Sequence, residues 1–191
     1  VYKHVDMADL EEKLKAAAGK RLRVVATDGV YSMDGDIAPL KEICDLADRY
    51  NALVMVDDAH ATGVMGDKGG GTPEACGVTD RVDFVTGTFG KALGGAGGAF
   101  TATRKEAAEY LRNRSRTYLF SNSLDTAVTG TSLFVINYPK SHPEIRERLR
   151  ANTKLFRELM RKNGFAVADT QHPITPIMLG DEKHALDMAS A

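Results

Sequence analysis

The spacing of apolar residues along the chain predicts alternating helices and strands. Helices are expected where apolar residues recur every three or four positions, and strands where they form short continuous runs. The predicted helices cover 7–20, 40–50, 105–114, 127–136 and 143–163. The predicted strands cover 22–27, 53–56, 82–86 and 99–103, and two strand-like pieces cover 165–167 and 176–179. This order is typical of an α/β layer in which strands are covered by helices.

The strand predicted over 99–103 differs from those before it. It follows the strand over 82–86 by only about a dozen residues, many of them glycine, whereas a parallel crossover through a helix needs a dozen or more. The two strands are therefore expected to be antiparallel. The predicted fold is α/β, a mixed and mostly parallel sheet with helices on both faces.

Three parts are predicted along the chain. Residues 1–142 form a large ligand-binding domain, 143–163 form a long connecting helix, and Gly164 ends that helix so that 164–191 begin a second domain. The chain starts without Met and stops inside a helical pattern, so we expect it to be a piece of a longer protein.

Composition narrows the possible partners. The formal net charge of -1 gives no basic footprint for nucleic acid, and no apolar run approaches the roughly 20 residues that span a bilayer. The two cysteines form no disulfide framework, which favours a reducing compartment. We therefore expect neither a nucleic-acid nor a membrane partner, and place the protein in a bacterial cytoplasm or a mitochondrial matrix.

Polar residues follow the predicted strands at the edge where ligands of α/β sheets bind. They are Ser32, Asp57, His60, Thr88 and Lys91. A lysine amine condenses with an aldehyde cofactor, and a carboxylate keeps a pyridine nitrogen protonated. Hydroxyls and the backbone N–H groups of a glycine-rich turn suit a phosphate. The joint arrangement predicts a pyridoxal 5′-phosphate (PLP) site.

Other interpretations of the same residues are weaker. Taken singly, Lys91 would be a solvated loop charge, Asp57 a turn residue and His60 a loop histidine. A nucleotide-binding P-loop needs Gly-x-x-x-x-Gly-Lys-Ser/Thr, but Val85 and Ala92 occupy its first and last positions. The histidines are scattered, so no metal site is predicted.

Three segments, 32–36, 56–60 and 87–92, resemble the α-oxoamine synthases, PLP-dependent enzymes of the aspartate-aminotransferase fold, also called fold type I. The flanking segments 26–30, 86–88, 118–123 and 172–181 are most similar to one branch of that family. This branch interconverts glycine and acetyl-CoA with 2-amino-3-oxobutanoate and CoA in threonine breakdown. The alternatives are the branches that make 8-amino-7-oxononanoate or 5-aminolevulinate, a non-catalytic scaffold subunit of the same fold, and a plain aminotransferase.

The resemblance implies a role for each residue of the set. Lys91 would hold PLP as a Schiff base and then act as base and acid at the substrate Cα. Asp57 would pair with the pyridinium nitrogen, His60 and Ser32 would contact the ring 3′-oxygen, and Thr88 would contact the phosphate.

The resemblance also implies a homodimer with shared active sites. Ser121 and Asn122 would reach the cofactor phosphate of the partner subunit; the alternative interpretation of this pair, a polar turn after Leu119 and Phe120, has nearly as much support. In the family, an aromatic side chain from the N-terminal segment and an arginine from the C-terminal domain complete the site. We therefore expect the 191-residue chain alone to have little or no activity.

Overall fold

The computed structural model describes residues 1–95 and 97–190. The helices are α1 Met7–Ala16, α2 Leu40–Arg49, α3 Thr72–Ala75, α4 Lys105–Arg114, α5 Arg116–Leu119, α6 Thr126–Ser141, α7 Glu144–Lys162 and α8 Glu182–Ser190. The strands are β1 Val24–Asp28, β2 Leu53–Asp57, β3 Phe84–Thr88 and β4 Ala99–Thr103, and a short 3-10 helix, Thr79–Arg81, precedes β3.

The four strands form one mixed sheet in the order β1-β2-β3-β4. Strands β1, β2 and β3 are parallel, and β4 is antiparallel to β3. The predicted mixed sheet and the antiparallel last strand are therefore confirmed. Because the first three strands are parallel, their carboxyl ends open at the same edge.

One face of the sheet is covered by α1 and α2. The Asp6 side chain caps α1 by accepting the Asp9 N–H, as predicted. The core on this face buries the following residues of α1, α2, β1 and β2: Leu10, Leu14, Val25, Ile43, Leu46, Ala47, Val54 and Val56. Alternation along the strands sends Val54 and Val56 into this core and turns Asp57 to the other face.

The opposite face carries the polar side chains of the strand ends. Asp57 is in register with Thr86, and Thr86 is in register with Thr101. Cross-strand partners project to the same side of a sheet, so these three residues share one face. Helix α4 begins directly after β4 and borders this face.

Two of the predicted strands are wrong. Residues 165–167 and 176–179 lack regular secondary structure, and in the described part of the chain neither pairs with a strand. A short apolar run becomes a strand only when a neighbour supplies ladder hydrogen bonds. Pro176 also lacks the N–H that such a ladder uses.

Element ends differ from the prediction in smaller ways. Helix α1 ends at Ala16 rather than at residue 20, because the Ala18 and Lys20 N–H groups bond three residues back and continue the chain as turns. Helix α6 is longer than predicted, and the short helices α3 and α5 were missed. Among the described helices, none is both long and apolar enough to cross a bilayer. The division at 142 and 163 stays a prediction.

Candidate active site

A cleft of about 720 Å³ opens at the carboxyl edge of the parallel strands. Its walls come from the ends of β2 and β3, the start of β4, α4 and the turn around α5. Its polar lining residues are Asp57, Thr86, Thr88, Lys91, Thr101, Arg112, Ser115, Thr117 and Tyr118. The structure thus brings three of the predicted site residues, Asp57, Thr88 and Lys91, to one cleft.

Lys91 and His60 are in direct contact. Lys91 lies in the turn after β3, and its Nζ is 2.7 Å from Nε2 of His60, which lies three residues beyond the end of β2. A lysine ammonium has only donors, so a protonated Lys91 makes Nε2 of His60 the acceptor. The amine is thereby held at the cleft by a side chain from the neighbouring strand end.

Asp57 is the last residue of β2 and lines the cleft. Its Oδ1 accepts the Ala59 N–H at 3.0 Å, which fixes the side chain in the first turn after the strand. Beside it, Oγ1 of Thr86 is buried and has no hydrogen-bond partner among the described residues. A buried hydroxyl without a partner fits a site that a polar ligand completes.

Thr88 lies in the cleft wall, but its hydroxyl already has two protein partners. It donates to the Gly98 carbonyl at 3.0 Å and accepts the Gly90 N–H at 3.1 Å. These bonds brace the turn that carries Lys91. A contact with a cofactor phosphate stays a prediction for Thr88. Because phosphate oxygens accept, the hydroxyl would have to turn away from the Gly98 carbonyl and donate to the phosphate.

The other predicted residues lie away from this cleft. Ser32 is exposed in the turn after β1 and is not among the residues that line it. Ser121 and Asn122 are exposed in the turn after α5, where the Ser121 hydroxyl donates to the Asn122 carbonyl. Their roles in cofactor binding therefore stay predictions.

The sequence reasoning missed Asp58, which follows Asp57. Asp57 lines the cleft, whereas Asp58 is buried and has a structural role. Asp58 is fully buried, accepts the Thr72 N–H on both carboxylate oxygens at 3.1 and 3.2 Å, and accepts the Thr62 hydroxyl. Burial raises the pKa of this carboxyl above its usual value, and the bonds from Thr72 and Thr62 oppose the rise. Asp58 anchors the loop that carries His60. Strand alternation could have revealed it, because two adjacent residues cannot both face the cleft.

The arrangement meets three requirements of a pyridine aldehyde cofactor. An amine and a carboxylate line the same cleft, the Ala59 side chain in its lining is only a methyl group, and the volume exceeds that of one flat ring with its phosphate. The Thr86 hydroxyl, which has no partner among the described residues, adds a polar group to the lining of the cleft. The residues present therefore fit PLP.

Comparison with known proteins gives close relatives. The chain is 56% identical over 182 residues to 2-amino-3-ketobutyrate coenzyme A ligase of Escherichia coli K12, covering 94% of the chain and 46% of the relative. It is 50% identical over 188 residues to the mitochondrial enzyme of the same name from Homo sapiens, covering 98% and 45%. An 8-amino-7-oxononanoate synthase of Thermosipho melanesiensis is 48% identical over 183 residues, covering 96% and 46%. The chain thus spans about half the length of the curated relatives it matches.

Solved structures agree with the sheet described above. Serine palmitoyltransferase of S. paucimobilis with a bound PLP–myriocin aldimine superposes with a TM-score of 0.91 at 35% identity, over 96% of this chain and 48% of that one. The fold is that of the fold type I PLP-dependent transferases, so the predicted fold class is confirmed, and so is the resemblance to the α-oxoamine synthases. The model of the aminotransferase class I and II family matches residues 1–191, and the chain belongs to that family.

Proposed function

We propose that this protein is a PLP-dependent glycine C-acetyltransferase, also called 2-amino-3-ketobutyrate coenzyme A ligase. The observation that carries the proposal is the placement of Lys91, in contact with His60, and of Asp57 along one cleft. The choice among related reactions rests on the 50–56% identity to proteins that bear this name. The reaction joins glycine and acetyl-CoA into 2-amino-3-oxobutanoate and CoA, and threonine breakdown uses its reverse.

PLP would be held by Lys91 through a Schiff base and by Asp57 through the pyridine nitrogen. When bound, the protonated ring withdraws electrons from the substrate Cα and so makes the loss of a Cα proton feasible. The Asp57 carboxylate keeps that ring nitrogen protonated, because an adjacent negative charge favours the charged form of the base. The Ala59 N–H holds the carboxylate in place for this task.

Lys91 moves the proton. With glycine in place, the free amine accepts a proton from the glycine Cα, and in the reverse reaction it returns a proton to that carbon. His60 lies 2.7 Å from the amine and keeps it at the cleft while it is uncoupled from the cofactor. A general base must lie within hydrogen-bond reach of the proton it takes, and such positioning supplies part of the rate.

The bonds of the reaction balance without a further reagent. The glycine Cα, after losing its proton, forms a carbon–carbon bond with the thioester carbonyl of acetyl-CoA. The carbon–sulfur bond breaks, and CoA leaves as the thiol, whose proton balances the one lost from the glycine Cα. No electron donor or acceptor is consumed.

The main rival is 8-amino-7-oxononanoate synthase, which the 48% identity to the Thermosipho melanesiensis protein supports. This enzyme class shares the chemistry but uses a different amino acid and acyl thioester, so the cleft residues alone do not separate the two. A non-catalytic scaffold is less well supported, since such a subunit has no need of an amine and a carboxylate facing one cleft.

A substrate matrix tests the proposal in the intact, full-length protein. Glycine, alanine and serine are each combined with acetyl-, succinyl- and pimeloyl-thioesters, and thiol release is followed. We expect glycine with acetyl-CoA to give the highest kcat/KM, and Lys91→Ala to lower it by at least about 100-fold. Lys154→Gln, at an exposed lysine of α7, is the control and should leave it unchanged. Highest kcat/KM for alanine with the pimeloyl thioester would instead assign the rival activity.

We also propose that the protein acts as a homodimer in which Ser121 and Asn122 reach the cofactor phosphate of the partner subunit. Both residues are exposed, and large apolar residues of the same region, Leu119, Phe120 and Leu124, are exposed beside them. Mixing Lys91→Ala subunits with Ser121→Ala/Asn122→Ala subunits should restore part of the activity in heterodimers. Failure of mixed subunits to exceed either parent would contradict a shared site. The bacterial cytoplasm and the mitochondrial matrix both stay predictions for the compartment.

A further inference from the structure

A buried histidine from the far end of the chain bonds to the backbone of His60. Nε2 of His172 is 2.9 Å from the His60 carbonyl oxygen, across 112 positions of sequence, and His172 is only 3% exposed. Its Nδ1 accepts the Ile174 N–H at 3.1 Å. A neutral imidazole has one donor and one acceptor nitrogen, so the acceptor role of Nδ1 leaves the proton on Nε2. His172 therefore donates to the His60 carbonyl.

An arginine from the long helix α7 fixes this histidine. Arg157 is 7% exposed, and its guanidinium donates to the carbonyls of Thr170, His172 and Ile174. Its Nε also donates to the Thr175 hydroxyl at 3.1 Å. The planar fork of an arginine matches several acceptors at once, which a lysine cannot do. Residues 170–175 lack regular secondary structure, and the hydrogen bonds from Arg157 hold them against α7.

The same segment is tied to the loop after β1. The Thr170 hydroxyl donates to the Gly35 carbonyl at 3.0 Å. Gly35 has a φ of +75°, and a Cβ there would lie 3.0 Å from the Ile174 carbonyl oxygen, so the two segments meet at backbone distance. Residues 170–175 therefore join α7 to the loops that follow two of the parallel strands.

We propose that His172 is a positioning residue that sets the backbone of the His60 loop and through it the contact between His60 and Lys91. The proposal rests on the function proposed above, in which His60 holds Lys91. The His60 imidazole meets Lys91 at 2.7 Å, and a displacement of about 1 Å breaks a hydrogen bond and costs about 100-fold in rate where it misaligns reacting groups. Arg157 acts one step further back, on His172.

The state of the ring agrees with this arrangement. Burial lowers the pKa of His172 below its ordinary value, and the positive Arg157 beside it acts in the same direction, whereas the bond to His60 opposes the shift. A neutral ring is what the bond pattern needs, because protonation of Nδ1 would turn the acceptor for the Ile174 N–H into a donor.

Two substitutions at one position test the proposal in the full-length protein loaded with PLP. In His172→Gln the side-chain amide reaches the place of Nε2 and keeps a donor for the His60 carbonyl. In His172→Asn the shorter amide reaches only the place of Nδ1 and loses that donor. His184→Asn, at an exposed histidine of α8, is the matched control.

We expect His172→Asn to lower kcat by about 10- to 100-fold and to shift the midpoint of the pH titration of the visible band of the lysine-bound cofactor. His172→Gln should stay within about threefold of the parent in kcat, and His184→Asn should match the parent. In the PLP-free protein, the imidazole ¹⁵N shifts of His60 should change in His172→Asn and stay the same in His172→Gln.

The outcomes separate the proposal from a merely structural role. Equal losses in both His172 variants that follow their thermal unfolding, with an unchanged titration and unchanged His60 shifts, would overturn it. A parent protein that forms no visible lysine-bound band would instead contradict the proposed function. The His60 shifts of the PLP-free protein would still report on the bond from His172 in that case.

Discussion

Two adjacent carboxylates at the end of β2 illustrate how single positions divide their tasks. Asp57 faces the cleft and is fixed by one N–H, whereas Asp58 is fully buried and binds the backbone and hydroxyl of two other residues. The positions of Asp57, His60 and Lys91 after strand ends could be predicted from the sequence, whereas their roles stay predictions. It could not predict His172, whose partner lies 112 positions away.

Removing the Asp58 side chain should destabilise the protein. Asp58→Ala leaves the Thr72 N–H and the Thr62 hydroxyl without their buried acceptor, and we expect a loss of about 3 kcal/mol in the free energy of unfolding. Asp58→Asn keeps one acceptor and the shape, so it should lose less. Urea unfolding of the full-length protein measures both, and equal stability of the Ala variant and the parent would contradict the anchoring role.

The difference in stability between Asp58→Asn and the parent should depend on pH. Burial raises the pKa of folded Asp58 above the ordinary 3.8, so between 3.8 and the raised value the folded state binds more protons than the unfolded state. The Asp58 contribution to stability is therefore greatest below 3.8 and falls as pH rises through the folded pKa. Asp58→Asn lacks this fall, so its stability relative to the parent should improve as pH rises from about 4 towards 7.

At the level of elements, the loop between β2 and α3 determines where His60 lies relative to Lys91. It brings His60 to Lys91, and it returns past Asp58 to the start of α3 at Thr72. The sequence predicted the flanking strand but not this path, because the loop is held by side-chain bonds rather than by a periodic pattern. The strands predicted over 165–167 and 176–179 do not form. These segments have the apolar pattern of strands, but no neighbouring strand pairs with them in the described part of the chain.

Gly71 is the glycine of that loop at which an added Cβ would meet its closest neighbour. It has a φ of +91°, and a Cβ there would lie 1.6 Å from Oδ2 of Asp58. Gly71→Ala should therefore cost more than about 3 kcal/mol in stability and should lower PLP binding, because the His60 loop must move. Gly77→Ala is the matched control: φ is +68° but no atom lies within 4 Å of the added Cβ, so about 1 kcal/mol is expected. Similar unfolding midpoints for the two variants would contradict the close approach.

At the level of the whole molecule, the parallel strands bring distant segments to one edge. The fold class was predictable because a β-α-β order and a short glycine-rich return leave few alternatives, and both were found. The position of Ser32 was not, because the turn after β1 carries it outside the residues that line the cleft. The contact between 170–175 and the β1 and β2 loops was also beyond the sequence, since it depends on how α7 folds back.

The most direct measurement of the central claim is the identity of the lysine that binds PLP. The full-length protein is incubated with PLP, reduced with borohydride, digested and mapped by mass spectrometry. We predict one modified peptide, with the adduct on Lys91, and no adduct in Lys91→Ala. An adduct on a different lysine, or labelling spread over many lysines, would contradict the assignment of this cleft.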